Sequence, residues 1–385
     1  MVRASGRLSG AFAGGVGCLC NDGSVPLSSS PEIEAEPPRP EGSESGDNGS
    51  RDFEPRALLR RGIPAIVAIV VLMLVALLAP GLGDVRDLLS DASPGWIGLA
   101  LAFEALSFAS YVVMFAPIFC RGMNWRRSWE IGGSELAMGS LIPASGAGGL
   151  ALGAWVLHEG GMDGVLIANR SVAFFLIKSS VNFVAVALIG LLMYLGLFGV
   201  DEPWTLTLLP AVMAMLAIAA VLAIPRFGPG AEPATDASRL ARLVSASRRA
   251  VTMGTQVAVE RVGSGNVRLI AGAIGYWAFD NAVLWATFHA FGFSPAISIV
   301  LMGYLIGQLG GLLPIPGGIG GIDGGLIGTL IVYGAPAAEV AAAVLAYRMI
   351  LFWLPLIVGG VAFLMLGRDM PHGTELAASE SAAAA

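Results

Sequence analysis

The strongest constraint in this sequence is a series of apolar segments long enough to cross a lipid bilayer. Uninterrupted runs cover residues 63–83, 95–120, 203–224 and 267–291. A helix needs about 20 apolar residues to span a hydrocarbon core about 30 Å thick. Charged residues make up only 13% of the chain, about half of their share in soluble domains. The sequence therefore predicts an all-α, polytopic integral membrane protein and argues against a soluble catalytic domain.

Four other apolar stretches depart from a simple span. Residues 131–161 and 294–334 are each interrupted by a cluster of glycine and proline, which predicts an interrupted hairpin. Residues 164–199 and 336–366 are too long for one upright helix, because each would extend about 50 Å at 1.5 Å per residue. Lys178 lies near the middle of the first long stretch and Pro355 within the second. We therefore expect each of them to be a broken helix pair.

The ends of the chain differ in composition from its centre. Residues 1–55 are rich in proline, serine and glutamate, a composition that cannot bury enough apolar surface to become ordered. We expect disordered tails at 1–55 and 367–385 around a membrane domain at 56–366. Three cysteines and three histidines predict neither a disulfide framework nor a metal centre, and we expect no cofactor.

Basic residues predict the orientation, since cytoplasmic loops of membrane proteins carry an excess of lysine and arginine. Arg56, Arg60 and Arg61 precede the first span, and further arginines follow the second span and fill the loop 225–266. Acidic residues mark the connections at 84–91 and 201–202 instead. We therefore expect a protein of the plasma (inner) membrane with a cytoplasmic N-terminus.

The basic loop 225–266 has a helical pattern of its own. Leu240, Leu243, Val244 and Val251 recur at helical spacing beside arginines. This pattern is typical of an amphipathic helix that lies on the inner leaflet. A solvated linker helix fits the same residues equally well, so both interpretations stay open.

The chain also repeats itself. Ser-Leu-Ile-Pro-Ala-Ser-Gly surrounds Pro143, and Gly-Leu-Leu-Pro-Ile-Pro-Gly surrounds Pro314, 171 residues later. The preceding spans begin at Gly95 and Val267, 172 residues apart, so the flanking helices repeat with the motif. We predict two repeats, at residues 63–200 and 203–366, each with a Pro/Gly-interrupted re-entrant hairpin.

The predicted loop positions require the two repeats to have opposite orientations. The first hairpin starts inside and the second outside, an arrangement typical of secondary transporters. Non-helical backbone at membrane depth is tolerated only where protein or a water-filled cavity covers it. We therefore expect Pro143 and Pro314 to approach the midplane from opposite sides and to line a shared cavity. The alternative is that both are ordinary surface turns between full spans.

Ionisable residues inside the apolar segments also follow the repeat. A charge at the centre of a spanning helix costs about 2.5–3.5 kcal/mol and usually faces a cavity or a partner. These residues are Glu104, Glu135, Arg170, Lys178, Asp280, Asp323 and Arg348.

Two interpretations of these charges remain open. In the functional one, Arg170 and Arg348, with Lys178, meet an anionic group, most naturally a lipid phosphate. Glu104 and Asp280 then hold the arginines in place or contact a cationic headgroup, and Asp323 flanks the second loop. In the structural one, the same residues form buried salt bridges that lock helix packing.

Glycines at the second hairpin tip can add backbone donors, because exposed N–H groups at helix N-termini attract anions. The sequence there lacks the Lys-Ser/Thr pair of a nucleotide-binding loop and follows no strand, so we expect no nucleotide site. These glycines are Gly317, Gly318, Gly320 and Gly321.

The second-half motif resembles a known family. It reads Pro-Ile-Pro-Gly-Gly-Ile-Gly-Gly-Ile-Asp-Gly-Gly over residues 314–325, followed by Gly-Ala-Pro at 334–336 and Ala-Tyr-Arg at 346–348. This pattern is similar to that of the lysylphosphatidylglycerol synthase/flippase-type transmembrane region family, over about 63–366. The first-half version, at 143–149, is looser and lacks acidic or arginine residues directly after its glycines.

The resemblance implies movement of an anionic phospholipid or lipid-linked phosphate between leaflets. Family members with a fused aminoacyl-transferase domain also synthesise the lipid. Only a short tail follows Gly367 here, so we expect no such activity.

Three functions therefore compete. The first is a lipid flippase or transporter. The second is an intramembrane enzyme acting on lipid phosphates, with Glu104, Asp280 or His158 as acid or base. The third is a non-transporting scaffold. We expect membrane phospholipids as partners and no nucleic acid, and the sequence leaves open whether the protein forms a homo-oligomer.

The hairpin topology is testable by labelling in a variant whose native cysteines are replaced by serine. We predict that Ser145→Cys and Gly318→Cys react with a membrane-impermeant maleimide from opposite sides of the membrane, since the two loops enter from opposite leaflets. Rapid labelling of both positions from one side would exclude a shared pocket.

Overall fold

The computed structural model describes residues 91–119, 124–141, 147–159, 162–198, 202–228, 230, 238–308 and 321–369. In these ranges the regular structure is helical and contains no strand, which confirms the predicted all-α class. The predicted span 63–83, the predicted tail 1–55, and the loops at Pro143 and Pro314 lie outside the described residues, as do residues 370–385 of the predicted tail 367–385.

Ten α-helices occur in the described ranges. They are α1 (Pro94–Phe119), α2 (Trp125–Leu141), α3 (Ala147–Glu159), α4 (Gly164–Tyr194), α5 (Leu208–Ala223), α6 (Arg239–Gly263), α7 (Val267–Ala290), α8 (Ile297–Gln308), α9 (Gly321–Val332) and α10 (Ala337–Asp369). A short 3-10 helix, Ile224–Phe227, extends α5. Five of the described helices are long and apolar enough to cross a membrane: α1, α4, extended α5, α7 and α10. The protein is thus a polytopic membrane protein.

Helices α1 and α7 form the most extensive helix pair and run antiparallel. At one end of the pair, the Ser93 amide donates to the Ala290 carbonyl at 2.9 Å. At the other end, a Cβ added to Gly272 would lie 2.9 Å from the Ser110 carbonyl and from the Met114 amide. Glycine therefore permits the two backbones to touch, as small residues do in membrane helix packing. Inverted repeats would produce this pairing, and the relation between the halves stays a prediction.

Two hairpins of short helices lie beside this pair. In the second, α8 packs on α9, with Gly303 against Leu330 and Gly307 against Leu326. Both helices contain 12 residues and are about 18 Å long, well short of a hydrocarbon core of about 30 Å. The first hairpin pairs α2 with α3 in the same way. Such lengths fit the predicted re-entrant hairpins, whose topology stays a prediction.

The two long helices are continuous, so the expectation of broken helix pairs is wrong. Helix α4 has 31 residues and α10 has 33. Lys178 does not interrupt α4, because aromatic rings from two other helices face its ammonium group. Pro355 lies inside α10 without ending it. Helices of this length exceed the hydrocarbon core, and tilting is one way in which bilayers accommodate such a mismatch.

Each hairpin contacts the long helix of the other predicted repeat. Helix α2 packs on α10, where Gly133 and Gly359 bring the two backbones together. Helix α8 packs on α4. The two halves of the sequence are therefore interleaved in the fold.

Buried apolar side chains form two separate cores. The first core surrounds α2 and α3 and includes Phe115, Phe119 and Phe174, whose rings contact one another. The second surrounds α8 and α9 and includes Phe288 and Met302. Helices α1, α4, α7 and α10 contribute to both cores, so these four helices connect them.

The helix expected in the basic loop is present as α6. Its second half packs on α4, where a Cβ added to Gly254 would lie 2.6 Å from the Val172 side chain. In its first half, Leu240 and Leu243 are exposed. Contact of this exposed apolar face with the inner leaflet stays a prediction.

The close approach of α1 and α7 gives a stability prediction. Gly272→Ala should lower the free energy of unfolding by about 1–3 kcal/mol, because an added methyl group overpacks a backbone contact. Gly98→Ala is the matched control on α1, since no atom lies within 4 Å of its added Cβ. Thermal unfolding in detergent micelles measures both variants. Equal melting temperatures of Gly272→Ala and the wild type would contradict the prediction.

Candidate functional site

Polar side chains gather where the two apolar cores meet. On α4, Lys178 follows the last residue of the first core and precedes Ala185, which belongs to the second. On α7, Asp280 lies between Ala273 of the first core and Val283 of the second. Helices α4 and α7 therefore place Lys178 and Asp280 in the same layer of the molecule. We call this group of side chains the polar layer: Glu104, Tyr111, Glu135, Lys178, Tyr276, Asp280, Tyr304, Asp323, Tyr347 and Arg348.

Asp280 is the most thoroughly hydrogen-bonded carboxylate of the polar layer. Tyr304 of α8 donates its hydroxyl to Oδ2, and Tyr347 of α10 donates to Oδ1 at 3.0 Å. Asp280 itself is 7% exposed. Hydrogen bonds to a charged acceptor are roughly twice as strong as neutral ones, so this carboxylate holds three helices together.

Arg348 and Asp323 form an ion pair between α10 and α9. The Arg348 Nε donates to the Asp323 Oδ1. Their side chains are 32% and 20% exposed, so this pair is the more open part of the polar layer. The guanidinium group carries four further N–H donors, and one carboxylate contact therefore leaves capacity for a second anion.

Lys178 lies between two tyrosine rings. Its Nζ is 5.6 Å from the ring centroid of Tyr111 on α1 and 5.6 Å from that of Tyr276 on α7. A cation within about 6 Å of an aromatic centroid is attracted by the face of the ring. Lys178 also interacts electrostatically with Glu135 and Asp280, and so links the two ends of the polar layer.

Glu135 completes the layer on the side of the first hairpin. Its side chain is buried, and it interacts with Tyr111 of α1 and with Lys178 of α4. On the neighbouring helix, a Cβ added to Gly153 would lie 2.8 Å from Glu135 Oε2. The absence of a side chain at Gly153 therefore makes room for this carboxylate.

Glu104 differs from the other acids of the layer. It is 5% exposed, and its Oε2 has no hydrogen-bond partner among the described residues. Asp280, on the facing helix α7, is close enough to interact with it electrostatically. Two carboxyl groups on facing helices thus interact electrostatically, and one of them has an oxygen without a hydrogen-bond partner among the described residues.

Arg170 lies apart from this group. It is buried, and its Nη1 donates to the carbonyl oxygen of Phe119 at the end of α1. Lys178 follows eight residues later on the same helix, about 12 Å away along the helix axis. Arg170 therefore binds the carbonyl end of α1, and the structure does not bring it together with Arg348.

The other sequence candidates are distributed as follows. Gly321 begins α9. His158 is exposed, and its Nδ1 lies 3.3 Å from the Met162 carbonyl, outside the polar layer. No metal-binding group of three or more acidic, histidine or cysteine residues occurs within the described ranges. Candidates outside the described residues are Pro143, Pro314, Gly317, Gly318 and Gly320.

Sequence reasoning missed the four tyrosines of the layer. Tyr111, Tyr276, Tyr304 and Tyr347 lie in apolar helices, where each can be taken for an ordinary core residue. A usable signal is that a buried tyrosine hydroxyl usually finds a hydrogen-bond partner. Four tyrosines inside spanning or hairpin helices therefore indicate polar groups nearby.

An open apolar groove lies between α1 and α10. Its volume is about 350 Å³, and Ile357 on its wall is 63% exposed, so the groove faces outwards. Leu101 on the opposite wall precedes Glu104 by one helical turn. The lining residues are Leu101, Met349, Ile350, Trp353, Leu354, Ile357 and Val358.

The bonds to Asp280 are testable by removing one donor. Tyr304→Phe should lower the free energy of unfolding by about 1–3 kcal/mol, since a buried carboxylate loses a hydrogen-bond donor. Tyr194→Phe, at an exposed tyrosine of α4, is the matched control and should unfold like the wild type. Denaturant unfolding in mixed micelles measures both, and equal stability of the two variants would contradict a hydrogen bond to Asp280.

Three alignments connect the chain to proteins described as "UPF0104 membrane protein" from Methanothermobacter thermautotrophicus. One is 23% identical over 342 residues and covers 80% of this chain and 97% of the relative. Two shorter alignments are 35% identical over 99 residues and 30% over 86. They cover 26% and 22% of this chain, and only 28% and 26% of the relatives' lengths.

A family match covers most of the membrane domain. Residues 63–359 match the family described as "Lysylphosphatidylglycerol synthase TM region", and the resemblance in the second-half motif is confirmed. Since this match covers well over half of the chain, the protein belongs to the lysylphosphatidylglycerol synthase transmembrane-region family of membrane proteins.

Proposed function

We propose that this protein moves an anionic phospholipid or a lipid-linked phosphate between the two leaflets of the plasma membrane. The observation that carries the proposal is the polar layer, a group of charged and tyrosine side chains at the meeting of two apolar cores. Charged residues inside membrane helices are expensive and are typical of substrate or ion pathways. A protein with a purely structural role has less need for so many charged residues in one layer.

Arg348 is the proposed receptor of the phosphate. Its guanidinium group can donate two parallel hydrogen bonds to a phosphate, and Asp323 holds it in place from the neighbouring helix. Lys178 adds a second positive charge in the same layer. Arg170 is left out of this role, because it binds a backbone carbonyl at the end of α1.

The apolar groove between α1 and α10 supports a lipid rather than a soluble anion as the substrate. It has an apolar lining and is open to the outside of the helix bundle. Its wall at Leu101 lies one turn from Glu104. An acyl chain in this groove would keep its contact with hydrocarbon while the headgroup reaches the polar layer.

The interleaved packing suggests how the headgroup crosses. Helix α2 of the first hairpin packs on α10, and helix α8 of the second hairpin packs on α4. Each hairpin thus contacts the long helix of the other half. In the proposed mechanism the two halves rock against each other about the polar layer, exposing the headgroup first to one leaflet and then to the other. Rocking of repeats around a central site is common among secondary transporters.

The proposed orientation places the N-terminus and α6 in the cytoplasm. Helix α6 carries exposed arginines, such as Arg242, beside exposed Leu240 and Leu243. Basic residues favour the cytoplasmic side, and a basic amphipathic surface suits an anionic inner leaflet.

Transport is testable in proteoliposomes that contain a fluorescent analogue of phosphatidylglycerol. The wild type should accelerate loss of fluorescence when an impermeant reductant attacks the outer leaflet. Arg348→Ala should reduce the rate about tenfold or more, because the phosphate loses a charge-assisted bidentate contact. Arg348→Lys should give an intermediate rate, since lysine keeps the charge but not the fork geometry.

Arg242→Ala is the matched control, because it removes an exposed arginine of α6 outside the polar layer. It should transport like the wild type. If the wild type moves no anionic lipid faster than empty vesicles, the proposed function is wrong. If Arg348→Ala is folded and fully active, Arg348 is not the phosphate receptor.

A further inference from the structure

The polar layer contains more acids than bases. Its carboxyl groups are Glu104, Glu135, Asp280 and Asp323, and its basic groups are Lys178 and Arg348. Four acids and two bases leave an excess of two negative charges if every group is ionised. An isolated charge in an apolar interior is costly and is normally avoided by a partner or by neutralisation.

The contacts show which acids have a basic partner. Asp323 is paired with Arg348, and Glu135 interacts with Lys178. Asp280 interacts electrostatically with both Lys178 and Arg348, and it accepts hydrogen bonds from two tyrosine hydroxyl groups.

Among the described residues, Glu104 has neither a basic partner nor a hydroxyl group that donates a hydrogen bond to it. Asp280 and Tyr276 from α7 and Tyr347 from α10 interact with it electrostatically, and none of these three is a base. The bases of α4 and α10, Lys178 and Arg348, interact instead with other acids, and so does Glu135 of α2.

The predicted membrane segments outside the described residues offer no further cation. Residues 63–83, 142–146 and 309–320 contain no lysine, arginine or histidine. Burial of Glu104 and its unpartnered Oε2 are therefore two separate observations that point to a small positive ligand at this carboxyl group. A proton is the ligand that neutralises a carboxylate without requiring additional space.

We propose that Glu104, paired with Asp280, binds a proton that crosses the membrane together with the anionic headgroup. This inference rests on the proposed function, and it names a proton gradient as the energy source that drives the lipid movement. The proton binds a Glu104 carboxylate oxygen from one side of the membrane, forming an O–H bond, and is released from that oxygen to the other side. A headgroup with one negative charge and one proton together carry no net charge, so their joint movement is independent of the membrane potential.

The test uses full-length protein in sealed vesicles with fluorescent phosphatidylglycerol and a pH gradient of about one unit. With one proton per lipid, the gradient should accumulate the lipid about tenfold in the leaflet facing the alkaline side, since one pH unit corresponds to a factor of ten. Glu104→Gln mimics the protonated side chain and should still exchange lipid, but with equal amounts in both leaflets. Glu260→Gln, at an exposed glutamate of α6, is the matched control and should keep the tenfold asymmetry.

The outcomes separate this inference from the proposed function. Lipid movement by the wild type without any response to the pH gradient overturns the proton proposal and leaves the transport proposal intact. An unchanged asymmetry in Glu104→Gln does the same. Failure of the wild type to move anionic lipid overturns both.

A wild-type measurement decides the matter if Glu104→Gln does not fold. Anionic lipid added to the outer leaflet should acidify the vesicle interior, as reported by an enclosed pH-sensitive dye. An unchanged internal pH during lipid movement overturns the proton proposal.

Discussion

The fold depends on how charged side chains find hydrogen-bond and ion-pair partners inside the membrane, where water is scarce. A charge at the centre of a spanning helix costs about 2.5–3.5 kcal/mol. The polar layer contains four ionisable groups in spanning helices and two more in hairpin helices. Asp280 is bound by side chains from α8 and α10, and Asp323 joins α9 to α10. Because removing one partner of a buried ion pair leaves the other unpaired, the helices around the layer are tied to one another.

The roles proposed for the charged residues depend on where each lies relative to this layer. Arg170 binds the end of α1 and contributes to packing. Arg348 is held by Asp323 and remains partly exposed, which suits a residue that exchanges one anion for another. Glu104 has an oxygen without a hydrogen-bond partner among the described residues, which suits the proposed binding of a proton. Position in the fold, rather than residue type, distinguishes these three proposed roles.

The sequence predicted the helical membrane fold because apolar length has a direct meaning in a bilayer. It also found Glu104, Lys178, Asp280, Asp323 and Arg348, since an ionisable residue stands out in an apolar run. The sequence did not show that Arg170 lies apart from the polar layer. The position of Arg170 along its helix does not reveal that its guanidinium group reaches the Phe119 carbonyl. The prediction of broken helix pairs was wrong. A lysine or a proline in a long helix interrupts it only where neighbouring helices do not compensate for the charge or for the lost backbone hydrogen bond. Tyrosines that serve as donors were missed because their ring resembles any other core residue.

The interleaving of the two halves affects the order in which packing contacts form during synthesis. Helix α2 is synthesised early, but the backbone surface at Gly133 is covered by Gly359 only after nearly the whole chain has left the ribosome. The second core likewise needs the end of α4 together with α7, α8, α9 and α10. The first half, once inserted, therefore lacks part of its packing surface until the second half has been inserted beside it.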